Sequence, residues 1–295
     1  MNVPRTPVIA KTRLILQMIK FEHTIFALPF ALISALLAAR ASAGGLSAVK
    51  LIWVVLAMVG ARSAAMSFNR LSDAEIDSRN PRTANRHIPA GLLSKSHVWL
   101  FMAVSVILFE LAAWKLNRLC FALSPIALIC VLGYSYTKRF TSLCHLFLGF
   151  AIGIAPIGAW LAVRGSFSSV AILLGAAVML WIGGFDIIYA LQDYDVDVQS
   201  NLFSLPKRLG KAGALAVSRT MHTGAIVCLV AVGALYGLHL VYYAGVTVVA
   251  GLIAYEQSLV RPDDLRRVNL AFFTMNGWVS ISLFAFVLLD TLIQQ

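Results

Sequence analysis

Charge is what this chain has least of. Only 13% of its 295 residues are Asp, Glu, Lys or Arg, while 60% are hydrophobic. A soluble globular domain carries about a quarter charged residues, so this composition excludes an ordinary water-soluble enzyme. Cysteine is scarce too. Cys120, Cys130, Cys144 and Cys228 form no C-x-x-C pair, and His145 beside Cys144 is the only histidine at ligand spacing. The four read as small apolar fillers rather than a metal centre.

Long uncharged runs take the place of charge. Nine are present, at about 22–39, 47–68, 97–114, 119–136, 143–163, 168–190, 213–236, 239–258 and 268–290. Each is close to the roughly 20 residues a bilayer-crossing helix needs. Backbone inside lipid must satisfy its own hydrogen bonds, which selects helices. The expectation is an all-α integral membrane protein, one domain over 1–295, with nine transmembrane helices in a single bundle. Basic residues before the first run and Ala41-Ser42-Ala43 after it resemble a secretory signal. The run's length and its Glu22-His23 opening favour a retained helix instead.

The net charge of +11 invites a nucleic-acid partner. Its distribution argues against one. With the N-terminus inside, eighteen of the 24 basic residues fall on the cytoplasmic side. Arg40, Lys50, Lys115, Arg118 and Arg164 fall on the other, and Arg62 lies within a helix. That asymmetry is the positive-inside rule. It predicts a cytoplasmic N-terminus and makes lipid, not nucleic acid, the surrounding partner; a bacterial cytoplasmic (inner) membrane is the expected setting.

Seven of the 13 acids gather in two segments: Asp73, Glu75 and Asp77, then Asp186, Asp193, Asp195 and Asp197. Acids at the ends of spans are costly and usually functional. Asn69, Asp73 and Asp77 stand at i, i+4 and i+8, which lines one helix face. Asp193 and Asp197 repeat the i, i+4 step, and Asp186 stands two turns before Asp193. Glu75 and Asp195 fall on other faces. Stacked like charges repel, so a cation is needed. Magnesium takes hard oxygen ligands and is held by one or two carboxylates plus substrate phosphates. Arg70, Arg82, Arg86, Lys138, Arg139, Lys207 and Arg208 lie on the same side, suited to the remaining charge of a diphosphate. The two clusters are 120 residues apart, measured Asp73 to Asp193. That is four spans, so two four-helix pseudo-repeats plus one extra helix would face each other across a central cavity.

Asn69-Arg70-x-x-Asp73-x-x-x-Asp77 resembles the first aspartate-rich motif of the UbiA superfamily of intramembrane prenyltransferases. Asp186-x-x-Tyr189-x-x-x-Asp193-x-x-x-Asp197 resembles the second. Tyr134-x-x-x-Lys138 is similar to the family's Tyr-x-x-x-Lys element, and Arg82-Thr83-x-x-Arg86-x-Ile88-Pro89 to its basic loop. The resemblance implies a helical bundle that transfers a prenyl group from an allylic diphosphate, with Mg²⁺ as cofactor. It implies Asn69, Asp73 and Asp77 as one metal side, and Asp186, Asp193 and Asp197 as the other. Of these, Asp73, Asp77, Asp193 and Asp197 would be the catalytic core. Arg70, Arg82, Arg86, Lys138, Arg139 and Arg208 would take the diphosphate.

The openings from Lys20 to Pro29 and from Gly184 to Gly210 are similar to the 4-hydroxybenzoate polyprenyltransferase-like branch. A polyprenyl diphosphate and an aromatic acid acceptor are therefore expected, in ubiquinone or menaquinone biosynthesis. Some of that branch uses a dihydroxynaphthoate acceptor instead. Lys20, His23, Tyr134 and Tyr189 are the candidate acceptor contacts. A cation-coupled transporter would also hold acids at membrane depth, but has no use for the arginine-rich loop. A CDP-alcohol phosphatidyltransferase would need D-x-x-D-G-x-x-A-R, which is missing: Asp73 and Asp77 stand four apart, and no Gly-x-x-Ala-Arg follows.

Overall fold

The computed structural model describes residues 8–20, 24–41 and 45–294. A short helix α1 (Val8–Met18) comes first, followed by the apolar α2 (Thr24–Arg40). The long helices are α3 (Ala48–Ser72), α5 (Lys95–Leu116), α6 (Arg118–Thr137), α7 (Cys144–Arg164), α8 (Ser169–Ala190), α10 (Leu205–Tyr236), α11 (Leu240–Ser258) and α12 (Asn276–Ile293). Two six-residue helices, α4 (Ala74–Arg79) and α9 (Tyr194–Gln199), follow α3 and α8. Among the described residues the fold is helical, and eight helical segments are long and apolar enough to cross a bilayer. The first expected span is the exception. α2 has 17 residues, about 25 Å at 1.5 Å per residue, which is short of a hydrocarbon core of about 30 Å.

Polar caps start several of the helices. Ser47, Ser94, Asn117, Ser168 and Ser204 each accept a backbone N–H of the first turn with their side chain, satisfying donors that helix starts leave free. α2 is largely enclosed by other helices. Phe30, Ile33 and Leu37 are buried with Trp181 and Ile182 of α8, Val246 of α11 and Leu283 of α12. In contrast α5 and α6 expose Leu100, Ile107 and Ile129, apolar faces that lipid would cover.

Between apolar helices in lipid, close packing and hydrogen bonds replace the hydrophobic drive. α7 and α8 show this. A Cβ on Gly149 would stand 2.1 Å from the Met179 carbonyl oxygen, and one on Gly153 2.5 Å from that of Gly175. The G-x-x-x-G spacing is what lets these two backbones touch, and α8 carries the second acidic cluster.

The two ends of the bundle differ. At one, loops are tied to helices: Asn117 Nδ2 donates to Leu161 O at 2.8 Å, Lys50 Nζ to Val163 O at 3.3 Å, and Asp290 accepts from the N–H groups of His239 and Tyr242. At the other end the helices part around a cavity.

Candidate functional site: two carboxylate banks on one cavity

Both acidic clusters sit at breaks in their helices. The expected continuous face Asn69–Asp73–Asp77 is interrupted, because α3 ends at Asp73 (φ −94°, ψ 0°) and α4 starts there. The backbone nevertheless keeps its pitch, with Asp73 N–H donating to Asn69 O and Asp77 N–H to Asp73 O. The second cluster does the same. After α8 comes a 3₁₀ turn, Leu191–Asp193, then Asp193 (φ −97°, ψ 4°) opens α9. Two stretches without obvious overall identity share one local shape.

The breaks face one cavity of about 890 Å³. Asn69, Arg70, Asp73, Asp77, Arg82, Arg86 and Lys138 line it from the first half; Asp186, Tyr189, Asp193 and Asp197 line it from the second. Lys20 and Tyr134 line it as well. Arg139 and Arg208 do not. Arg139 Nη2 donates to Ser72 O at 2.6 Å and stands 3.5 Å from Asp73 Oδ1, while Arg208 donates to Ser142 Oγ at 3.3 Å. Lys207 is used by the fold, holding the carbonyls of Ser200 and Leu202. His23 lies outside the described residues, as do Glu22 and the Ala-x-Ala segment's last two positions.

Asp73, Asp77 and Asp193 each have an assigned cation. Asp73, 1% exposed, accepts Lys138 Nζ at 2.6 Å and Asn69 Nδ2 at 3.1 Å. Asp77, 4% exposed, accepts Arg86 Nη1 on both oxygens, at 2.7 and 2.8 Å. Asp193 is held from across the cavity. Arg82 forks onto both its oxygens, with Nε at 2.8 Å, and Asn80 Nδ2 donates to it at 2.9 Å. Arg82 Nη1 also donates to Tyr189 Oη at 3.0 Å, the guanidinium lying 5.1 Å from that ring's centre. Burial pulls the Arg82 guanidinium down, but the bonds and charge of Asp193 outweigh it and hold the group above its ordinary pKa. His87 is lowered from its usual value, first by burial and then by Arg70 and Lys20, which favours the neutral ring. The cavity mouth is thus charge-compensated rather than acidic.

Asp186 faces a residue that sequence reasoning passed over. His145 Nδ1 stands 2.7 Å from Asp186 Oδ2. The signal available was a histidine in the first turn of an otherwise apolar span; it was weighed only against Cys144. Asn80 was missed because it falls outside the spacing of the acids. Arg62 was set aside as a lone basic residue in a helix. It lines a smaller pocket of about 110 Å³ with Thr24, Ala27, Met58 and Ala65, which shares Met66, Tyr134 and Leu148 with the main cavity. Its Nη2 donates to Lys20 O at 3.1 Å, fixing a turn where Lys20 has φ 51°.

Among the described residues no three acids, histidines or cysteines converge closely enough to enclose a metal alone. The donor set suits a hard divalent cation gripped by one or two carboxylates and completed by substrate oxygens. It does not suit a resident metal with a full protein cage.

Fold and site together define a polytopic helical membrane protein whose carboxylates and cations converge at one end. The UbiA prenyltransferase family model matches residues 27–279. The chain belongs to the UbiA prenyltransferase family, and it is a prenyltransferase. It is 32% identical over 228 residues to the 4-hydroxybenzoate octaprenyltransferase of Tolumonas auensis, covering 77% of this chain and 79% of that one. It is 33% identical to that of Xanthomonas campestris pv. campestris, covering 82% and 80%. The apo structure of a UbiA homolog from Aeropyrum pernix K1 superposes with a TM-score of 0.82 at 35% identity, over 91% of this chain and 98% of that one. A UbiA homolog from Archaeoglobus fulgidus bound to DMAPP and Mg²⁺ shares the fold, with a TM-score of 0.71 at 18% identity, over 95% and 99%.

Proposed function

We propose that this protein transfers a polyprenyl group from a polyprenyl diphosphate to an aromatic acid of the 4-hydroxybenzoate type, a step of ubiquinone or menaquinone biosynthesis. One observation carries the reading. Both carboxylate banks and the basic loop line a single cavity, and Arg82 reaches from the first bank's loop to Asp193 of the second. A ligand small enough to sit there meets both banks at once.

In this reading Asp73 and Asp77 on one side, and Asp193 and Asp197 on the other, with Asn69 and Asp186 beside them, would hold magnesium together with the diphosphate. When bound, magnesium supplies positive charge to the departing oxygens. Arg70, Arg82, Arg86 and Lys138 take the rest of the diphosphate's charge, and Arg139 and Arg208 steady the loops from outside the cavity. The allylic C–O bond breaks with its electron pair going to the diphosphate. A π-electron pair of the acceptor ring then forms the new C–C bond, and the ring loses a proton. Preorganised charge of this kind is usually the largest catalytic contribution. The apolar wall keeps water from the cation. Arg62, in the adjoining pocket with Tyr134 and near Lys20, is placed to hold the acceptor's carboxylate; an arginine inside a span is a functional-site candidate in its own right.

The same reading takes 1–295 as one domain of nine spans, in the cytoplasmic membrane with N-terminus and both motifs facing the cytoplasm. α2 supports the ninth crossing. Its first residue, Thr24, lines the pocket that adjoins the cavity, and Arg40 at its other end bonds Gln294 at the far end of α12. Enclosed by other helices, it need not match the lipid thickness. The twin breaks at Asp73 and Asp193, each opening a six-residue helix, support two four-helix pseudo-repeats plus one extra helix.

The test is incubation of detergent-purified protein with Mg²⁺, a labelled prenyl diphosphate, and 4-hydroxybenzoate or 1,4-dihydroxy-6-naphthoate in separate reactions. Labelled product with the hydroxybenzoate is expected. Product with the naphthoate alone would move the acceptor to that ring, and product with neither would sink the quinone assignment.

A further inference from the structure

α12 is preceded by a π-helical turn, Leu270–Met275. Such turns break the regular i→i−4 ladder, and they recur at functional sites. Here the turn has a dedicated support. Asn276, 0% exposed, directs its Nδ2 to the carbonyls of Ala271 at 3.2 Å and Phe272 at 3.1 Å. The same amide reaches Glu256 Oε1 of α11 at 3.3 Å, and Glu256 is also 0% exposed. A buried acid and amide inside a span are costly unless they serve something. What they hold is the backbone of Phe272.

Phe272 in turn forms a wall of the main cavity. Its ring lies 4.3 Å from that of Tyr189, 5.2 Å from Phe185 and 5.8 Å from Phe26, centre to centre. Tyr189 is the residue that Arg82 both bonds and covers. A chain of contacts therefore runs from Glu256 through Asn276 and Phe272 to the aromatic face beside Asp193. Aromatic faces attract cations, by up to about 2 kcal/mol when desolvated, and they exclude water.

We propose that Asn276, anchored by Glu256, is a positioning residue that fixes Phe272 against Tyr189, and that this aromatic wall shields the allylic cation from water until the acceptor ring attacks it. The inference rests on the prenyl-transfer reading. If the wall is displaced, water competes: its oxygen bonds the allylic carbon, a proton leaves, and the product is the prenyl alcohol.

The experiment measures prenylated acceptor and prenyl alcohol together, using purified full-length protein, Mg²⁺, labelled geranyl diphosphate and the acceptor the wild type accepts. Asn276→Ala should lower kcat for transfer about tenfold, as loss of roughly 1.4 kcal/mol would, and raise the alcohol's share several-fold. The KM for the diphosphate should stay within about twofold, since the Phe272 side chain is apolar and offers the diphosphate no hydrogen bond or charge. Glu256→Gln, which can still accept from Asn276, should restore most of what Glu256→Ala loses. Phe272→Leu removes the ring while leaving the turn's support in place, and it should reproduce the altered partition. A folded Asn276→Ala protein with wild-type partition would overturn the proposal. If that variant does not fold, wild-type partition in Phe272→Leu would overturn it instead. A wild type giving neither product nor alcohol would sink the prenyl-transfer reading itself, whereas normal partition in the variants sinks only the role of this wall.

Discussion

The two carboxylate banks share a local shape but not a setting. The first is built into the fold: Asp73 and Asp77 are buried and paired with Lys138 and Arg86. The second is looser. Asp186, Asp193 and Asp197 are all half-buried, and Asp193 takes its donors, Arg82 and Asn80, from the loop after the first bank. A repeated motif thus serves two ends. One half supplies a rigid, pre-paired wall; in the other, Asp186 is met by His145 of α7, and Asp193 is completed by side chains reaching over from the first bank's loop.

The comparison can be broken by substitution. Asp73→Asn should reduce prenyl transfer by roughly 10²–10³, the scale for removing one preorganised electrostatic group. It should also lower stability, because Lys138 loses the charge that holds it, by about 2 kcal/mol for a hydrogen bond between charged groups. Asp193→Asn should cost a similar factor in turnover with less than about 1 kcal/mol of stability, as Asp193 is itself partly exposed, where Asp73 is buried, and its ion pair is screened. Turnover assays beside thermal unfolding in detergent separate the two. Equal stability losses would erase the distinction between the banks.

Arg82→Lys sharpens the point at smaller amplitude. It keeps the charge but loses the fork onto Asp193 and the bond to Tyr189. The KM for the diphosphate should rise roughly tenfold, and initial-rate kinetics would show it.

The smallest effect concerns pH. His87 has its pKa lowered in the fold, so the folded chain favours the neutral ring. That contribution is full above the histidine's unfolded value and is lost as pH falls through the folded one. Stability should decline on acidification below about pH 6.5, and His87→Gln should flatten part of that decline. An unchanged profile would mean His87 is not the group responsible.

Much of this was legible in the sequence, for identifiable reasons. Span placement follows from composition alone, because lipid leaves helices as the only economical backbone. The i, i+4 acids and the basic loop at 82–86 are local patterns, and the cavity gathers them as that spacing suggests. What stayed hidden depends on tertiary contact. The helix breaks at Asp73 and Asp193 leave no proline or glycine to announce them. Arg82's reach to Asp193 crosses 111 positions, and His145 looks like any polar residue at a helix start until Asp186 is set beside it. The shortness of α2 was blurred because hydropathy cannot tell a lipid-facing helix from one enclosed by others.

The central claim is that both banks grip one metal-bridged diphosphate. Calorimetric titration of Mg²⁺ and inorganic pyrophosphate into the purified protein tests it without turnover. The account predicts that Asp73→Asn and Asp193→Asn each weaken binding at least about tenfold, a loss of roughly 1.4 kcal/mol. Wild-type affinity in either folded variant would contradict it.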